Sequence, residues 1–255
     1  MKKFLKNLIL FFLFVVIAGE TIVRVTHVVS DIPHRTIDEY GIQKYYPNQS
    51  GYWVEGEHKW IVNELGWPGV LPETYVNLLT VIGDSYIENF MNPNECHQSF
   101  LLKKHLKNYN FIEAGRSGVS FIEAMEISKQ FDSLNPIFNL IYVKSDDFYE
   151  SVFNIQPATD ITQLNLEKSK IIHGQMKAPG LKKILYNWKL LYYFYNRFPL
   201  NFSKSIAKVE KLETKNAFKY QKEIQSLIAY TKLNYNIKNK ILVFHPNSEL
   251  EIIEI

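Results

Sequence analysis

The chain has 255 residues, of which 46% are hydrophobic and 15% aromatic, and its net charge is +3. This composition excludes an intrinsically disordered chain and suits one domain of ordinary size with appended segments. The single cysteine, Cys96, excludes an intrachain disulfide and a cysteine-based metal site.

Residues 1–25 have the pattern of a membrane-targeting segment. Three lysines lie within the first six residues, and an uncharged apolar run follows from 8 to 19. Counted from Phe4 to Val23, the apolar segment is long enough to cross a bilayer, so we predict an uncleaved signal anchor. The alternative is a secretory signal that is cleaved after Ala18. In both cases the lysines favour an extracytoplasmic location, periplasmic or at the cell surface, for the rest of the chain.

Residues 26–74 form a lead-in segment that is rich in turn-forming and aromatic residues, which predicts short strands among turns. From residue 75 to 255, apolar strand patterns alternate with helical patterns. Strands are predicted over 75–83, 109–115, 138–145 and 238–246, and helices over 97–108, 120–131 and 248–255. Ser120 and Glu123 form a capping-box pattern at the start of the second of these helices. The alternation predicts a parallel sheet with right-handed crossovers.

A basic helical insertion, residues 150–237, separates the third and fourth predicted strands. Residues 161–240 contain 16 lysines and arginines against four glutamates and no aspartate. Solvated helix faces explain this charge, and a lid that meets an anionic polymer or a lipid headgroup surface is the alternative. The aromatic run 187–198 either packs between the insertion and the core or lines an acyl or sugar pocket.

Polar residues follow each predicted strand. The first three strands end in Gly83-Asp84-Ser85, in Gly115-Arg116-Ser117-Gly118 and in Lys144-Ser145-Asp146-Asp147. Because ligands bind at the carboxyl ends of the strands in such sheets, we expect these clusters to form one site. His245 ends the fourth strand at the same edge, either as a histidine bonded to the backbone or as a substrate-binding residue or substitute base.

Ser85 is the candidate nucleophile of this edge. A serine hydroxyl needs a base that takes its proton, a group that orients the base, and donors for the developing oxyanion. Ser85 follows a strand and opens a helix, so its own N–H and the helix N-terminus can point at an anion. Gly115 can offer a second N–H, and Asp84 is a candidate for substrate binding.

The three clusters resemble the first three sequence blocks of the SGNH/GDSL hydrolase family. Gly83-Asp84-Ser85-Tyr86 is similar to the block of the nucleophile, and 113–118 is similar to the block whose glycine N–H serves the oxyanion hole. Residues 144–147 are similar to the third block, Gly-x-Asn-Asp. The resemblance covers about 75–255 and implies an α/β fold, a three-layer α/β/α domain of the flavodoxin-like type. It also implies an esterase, lipase or carbohydrate O-acetyl esterase or transferase. The apolar N-terminus resembles that of membrane-tethered members that act on exported polysaccharides.

The chain also departs from this pattern. Glu113 stands where the family has asparagine, and Lys144 replaces the glycine of the third block. Asp146 stands at the oxyanion asparagine, where it serves only if it is protonated; otherwise the N–H groups of Ser85 and Gly115 form the hole alone. The family's C-terminal Asp-x-x-His block is missing after the fourth strand, so we expect a C-terminally truncated chain.

The sequence thus predicts a serine ester hydrolase or O-acyltransferase that acts on O-acyl groups, most simply O-acetyl groups, of a cell-surface or exported polysaccharide. One alternative is an inactive domain that binds a glycan or a polysaccharide-assembly partner, and another is a lipid-active esterase. The residues contain no phosphate-binding loop, dinucleotide fingerprint, metal-ligand pattern or nucleic-acid-binding motif, so no cofactor, metal or nucleic acid is expected.

Overall fold

A computed structural model describes residues 1–198 and 220–245, and it shows a mixed α/β protein. The described residues fall into two compact units. The first unit comprises Met1–His34, Ser50–Trp60 and 178–198, and the second comprises Arg35–Gln49, Ile61–Lys177 and 220–245. The predicted lead-in segment, 26–74, is therefore divided between the two units.

The second unit is built on a four-stranded parallel sheet. Its strands are β5 (Leu78–Gly83), β6 (Asn110–Gly115), β7 (Phe138–Val143) and β10 (Lys240–Phe244), in the order β10-β7-β5-β6. Every residue of β5 is buried, as its apolar sequence requires of a strand covered on both faces. The predicted parallel sheet is confirmed, although all four strands are shorter than predicted.

Helices of the second unit connect these strands. They are α2 (Ser85–Glu88), α3 (Gln98–His105), α4 (Phe121–Phe131), α5 (Ser145–Glu150) and α8 (Gln221–Asn234). The Ser120 hydroxyl accepts a hydrogen bond from the Glu123 N–H at 3.3 Å, which confirms the predicted N-cap of α4. Ile122 and Ile127 of α4 are fully buried with Ile82 and Ile141 of the sheet, and this cluster forms the main core.

Two antiparallel hairpins complete the second unit. One joins β1 (Arg35–Ile37) to β2 (Gln43–Tyr45), and the other joins β8 (Gln163–Asn165) to β9 (Lys170–Ile172). The second hairpin lies inside the predicted helical insertion, so the description of 150–237 as helical is wrong for this part. Residues 199–219 of that insertion, and the predicted helix 248–255, lie outside the described residues.

The first unit contains α1 (Lys2–Thr26), the strands β3 (Ser50–Tyr52) and β4 (Lys59–Ile61), which pair, and the helices α6 (Pro179–Asn187) and α7 (Lys189–Arg197). Helix α1 is long and apolar enough to cross a membrane, a property that signal sequences share. Glu20 of α1 accepts hydrogen bonds from the Lys189 and Leu190 N–H groups at 3.1 and 2.7 Å. These bonds satisfy the start of α7, so the aromatic run 187–198 is placed against α1.

Candidate functional site

The carboxyl ends of the four parallel strands bring the predicted polar residues to one edge of the sheet. The Lys144 ammonium lies 3.8 Å from an Asp84 carboxylate oxygen, which joins the ends of β7 and β5. The Arg116 N–H donates to the Gly83 carbonyl at 3.3 Å, which joins the ends of β6 and β5. We call this edge, comprising 84–86, 115–118, 144–147 and His245, the rim.

His245 lies on the rim beside Tyr86, the residue that follows the candidate nucleophile Ser85. Its backbone N–H donates to the Val143 carbonyl at 2.9 Å, which fixes it at the end of β10 next to β7. Its ring packs on the ring of Tyr86, with 4.6 Å between centroids. The structure therefore places an imidazole next to the residue that follows Ser85.

Ser85 is the first residue of α2 and is half-buried. The Asp84 carboxylate accepts the Tyr86 N–H at 3.0 Å, so Asp84 is the N-cap of this short helix. The Ser85 hydroxyl makes no hydrogen bond to a residue in the described part of the chain. It is thus available to a substrate and is not already engaged with a base.

Two glycines allow α2 to lie close to the sheet. A Cβ atom on Gly83 would lie 2.6 Å from Ile87 Cγ1, and one on Gly115 would lie 2.3 Å from the Glu88 backbone nitrogen. Real Cβ atoms do not approach other atoms so closely, so the position of α2 depends on both glycines. These residues therefore position Ser85 through backbone contact.

The Gly115 N–H points away from β5. In a strand, successive N–H groups alternate between the two neighbouring sides, and the Arg116 N–H is the one that faces β5. Gly118 lies in the exposed turn after β6 with φ of +81°, and its N–H has no partner among residues 1–198 and 220–245. The backbone N–H of Gly118 is thus a second candidate oxyanion donor. The sequence pointed to it only as the second glycine of the cluster 115–118.

Arg116 holds this turn and was not anticipated from the sequence. Its guanidinium is buried and donates to both carboxylate oxygens of Glu123, at 2.8 and 2.7 Å. It also donates to the carbonyls of Ser117 and Gly118, at 2.7 and 3.3 Å. The expectation that Glu123 completes a capping box is wrong, because its carboxylate is bound to Arg116.

Glu113 has a structural part next to the rim. One carboxylate oxygen lies 2.9 Å from His97 Nδ1, and the other accepts the Ser99 N–H at 2.6 Å. Both Glu113 and His97 are buried. The carboxylate thus satisfies the start of α3, which explains a glutamate in the middle of a buried strand.

Of the two adjacent aspartates on the rim, the structure buries Asp147 and exposes Asp146. An Asp147 carboxylate oxygen accepts the Lys144 N–H at 2.8 Å, at the start of α5. Burial raises the pKa of Asp147 to about 7, and the charges of Asp84 and Glu150 add to this effect against the opposing Lys144 ammonium. A carboxyl that titrates near neutral pH can hold or release a proton during a reaction.

The rest of the rim is acidic around one lysine. Burial lowers the pKa of Lys144, but the carboxylates around it, Asp147 first, outweigh burial and raise it above its usual range. Burial also raises the pKa of Glu150, against the charge of Lys144. Within the described ranges, no group of three or more histidine, cysteine, aspartate or glutamate side chains could hold a metal ion.

Comparisons with known proteins found no family model, curated protein or solved structure that matches the chain. The rim brings together a serine hydroxyl, an imidazole, an acid that titrates near pH 7 and exposed backbone N–H groups.

Proposed function

We propose that the protein is a serine ester hydrolase or O-acyltransferase, and that its second unit has a three-layer α/β/α, SGNH-hydrolase-like arrangement. The observation that carries this proposal is the convergence of Ser85, the 116–118 turn, Asp147 and His245 at neighbouring strand ends. Nucleophile, base and oxyanion donors must lie within reach of one reacting carbonyl, and a shared strand edge satisfies this need.

In the proposed reaction, the Ser85 Oγ attacks the ester carbonyl carbon while a base takes the hydroxyl proton. The ester C–O bond then breaks, and the base returns the proton to the leaving alcohol. Water or another hydroxyl group finally takes the acyl group from Ser85, which distinguishes hydrolysis from transfer. His245 is the candidate base within the described residues, because it packs beside Tyr86.

The oxyanion is stabilised by backbone N–H groups in this proposal. The Ser85 N–H lies at the start of α2, where helical N–H groups have no partner within the helix. Gly118 supplies the second donor, because the N–H of Gly115, the glycine expected from the sequence, points away from β5. The exposed Asp146 carboxylate has no hydrogen to donate when it is ionised. Asp146 as an oxyanion-hole residue is therefore the weaker alternative to the backbone N–H groups.

The proposed substrate is an O-acyl group, most simply O-acetyl, on a cell-surface or exported polysaccharide. Helix α1 supports an anchored protein with the second unit outside the cytoplasm, since it is long and apolar enough to span a membrane. Cleavage of α1 as a signal would give a secreted protein with the same site. A lipid-active esterase is distinguished by preferring long acyl chains over acetyl.

Turnover of activated esters by the full-length protein tests this proposal. With acetyl and long-chain nitrophenyl esters, Ser85→Ala should lower kcat by about 10⁴-fold or more, because the nucleophile is removed. Ser117→Ala is the matched control, since it removes an exposed hydroxyl from the same rim. Equal turnover by Ser85→Ala and the wild type would refute the assignment.

The second candidate is a glycan-binding domain without catalysis. The carboxylates of Asp84, Asp147 and Glu150 around Lys144 favour it, because such groups can bind sugar hydroxyls. The exposed ring of Tyr86 also favours it, because an aromatic ring can pack on a sugar ring. Binding of an acetylated glycan that is unchanged in Ser85→Ala, together with no turnover by any variant, would establish this candidate.

A further inference from the structure

A cavity of about 340 Å³ lies in the first unit, where α1 ends. It is open to solvent on one side and is lined by the last turn of α1, the segment that follows, strands β3 and β4, and the start of α7. Gly51 forms part of its wall and packs closely on Asp31 and Trp60, since a Cβ there would lie 2.4 Å from both Asp31 Cβ and the Trp60 ring. The residues of the cavity belong to the first unit, whereas those of the rim belong to the second.

Cations outnumber acids in this cavity. Among the described residues that line it, Arg24, Lys59 and Lys189 are cations and Asp31 is the one carboxylate. Lys189 is buried, and its ammonium lies 2.7 Å from the Asp31 carboxylate, which also accepts the Tyr52 N–H at 2.8 Å. The chemistry of the lining therefore suits an anion.

Of the three cations that line the cavity, Lys59 is the one without a carboxylate partner among the described residues. Arg24 pairs with Glu20 at 2.6 Å, and Lys189 pairs with Asp31. Lys59 is exposed and forms no ion pair with any residue in the part of the chain that the structure describes. The His27 ring, which packs on Tyr52 at 4.6 Å, adds a second polar group to the wall.

The position of the cavity along α1 indicates where the anion comes from. The segment Phe4–Val23 carries only two charged residues, Lys6 and Glu20. Its 20 residues form about 30 Å of helix, the thickness of a bilayer's hydrocarbon region. Arg24 follows directly, so the cavity lies at the depth of lipid headgroups when α1 spans a membrane.

Exposed apolar side chains next to the cavity continue this surface. Helices α6 and α7 and the residue between them carry apolar and aromatic side chains that are more than 40% exposed: Leu181, Ile184, Trp188, Leu191, Phe194 and Tyr195. They alternate with Lys182, Lys183 and Arg197, the pattern of helices that lie in a membrane interface. Acyl chains would thus meet apolar surface beside a cationic cavity.

We propose that this cavity binds the phosphate group of an anionic phospholipid. Lys59 supplies the free ammonium, and Arg24 and Lys189 supply further charge-assisted donors. The proposal uses the membrane placement of α1 but not the chemistry of Ser85.

Lipid titration of the full-length protein in neutral detergent tests it. Short-chain phosphatidylglycerol is added, and bound lipid is counted by native mass spectrometry, with phosphatidylcholine and inorganic phosphate as comparisons. We expect one phosphatidylglycerol to bind in preference to phosphatidylcholine. Lys59→Gln should weaken this binding about fivefold, as expected for one lysine near an anionic headgroup, whereas Lys59→Arg should retain it.

Lys107→Gln is the matched control, because it removes an exposed lysine of the second unit that neither lines the cavity nor belongs to α6 or α7. Ser85→Ala should bind the lipid like the wild type, which keeps this test independent of turnover. The proposal is overturned if both lipids bind equally, or if Lys59→Gln binds like the wild type. Displacement of the lipid by millimolar inorganic phosphate would also overturn it, since the occupant would then be a soluble phosphate.

Discussion

At the scale of single residues, Asp147 links the structure of the rim to pH. Its pKa is raised to about 7 by burial and by the neighbouring charges of Asp84 and Glu150, whereas an aspartate in an unfolded chain titrates near pH ~4. Between these pH values the folded protein holds a proton that the unfolded chain has lost. The free energy of unfolding therefore falls as the pH rises through this window.

Asp147→Asn should reduce the fall of the unfolding free energy with rising pH, because asparagine does not ionise. Its side-chain oxygen can still accept the Lys144 N–H. We expect the variant to be more stable than the wild type at pH 8, by at most about 4 kcal/mol. A smaller slope should remain, since burial also raises the pKa of Glu150. Urea unfolding followed by tryptophan fluorescence from pH 4.5 to 8 measures the effect.

Asp146→Asn is the control for this prediction, because Asp146 is the exposed neighbour with the same charge. It should keep the pH dependence of the wild type. Identical slopes for Asp147→Asn and the wild type would show that Asp147 is ionised throughout the window.

At the scale of elements, the placement of α2 depends on a glycine in the neighbouring strand. Gly115→Ala would set a Cβ 2.3 Å from the Glu88 nitrogen and 2.5 Å from the Ile87 carbonyl carbon, so α2 must move. We expect a loss of about 1–3 kcal/mol in the free energy of unfolding, together with lower turnover, because Ser85 moves with α2. Thermal unfolding and ester turnover measure the two effects.

Gly180→Ala is the matched control, since no atom lies within 4 Å of a Cβ at that position. It should leave both the unfolding temperature and turnover unchanged. If Gly115→Ala were as stable and as active as Gly180→Ala, the close approach of α2 to β6 would be ruled out.

The elements also show what the sequence could reveal. The strands β5 and β6 were predictable because strands buried on both faces are mainly apolar runs, and β7 and β10 are apolar runs although they are only partly buried. Ser120 was predictable because caps depend on residues close in sequence. The hairpin of β8 and β9 was missed because three-residue strands give no clear alternation. Its location within a lysine-rich segment also favoured the helical interpretation.

The site was predictable only as far as the strand ends. Their order brought Ser85, 116–118, 144–147 and His245 together, as the parallel sheet requires. The sequence could not tell that Asp147, and not Asp146, is buried, because the two are adjacent and identical. The Arg116–Glu123 pair was also hidden, since it depends on how the turn folds back on α4.

At the scale of the whole molecule, α1 sets the proposed location. A charged residue in the middle of a membrane span costs about 2.5–3.5 kcal/mol of insertion free energy. Leu13→Arg places such a charge in the centre of the apolar segment, so we expect the protein to shift from the alkaline-washed membrane fraction to the soluble or degraded fraction. Fractionation and immunoblotting measure this shift.

Val70→Arg is the control, because Val70 is an exposed apolar residue of the second unit. It should stay with the membrane fraction. A Leu13→Arg variant that remains in the membrane like Val70→Arg would contradict the anchor, and a wild-type protein that lacks its first 18 residues would support the cleaved signal.

The central claim is that Ser85 is a nucleophile assisted by His245, and covalent labelling tests it most directly. The full-length protein is treated with a serine-directed fluorophosphonate, and the modified peptide is located by mass spectrometry. We expect one adduct, on Ser85, that is absent from Ser85→Ala and forms much more slowly in His245→Asn. An unlabelled protein, or an adduct on another serine, would contradict the claim and leave the rim as a binding surface.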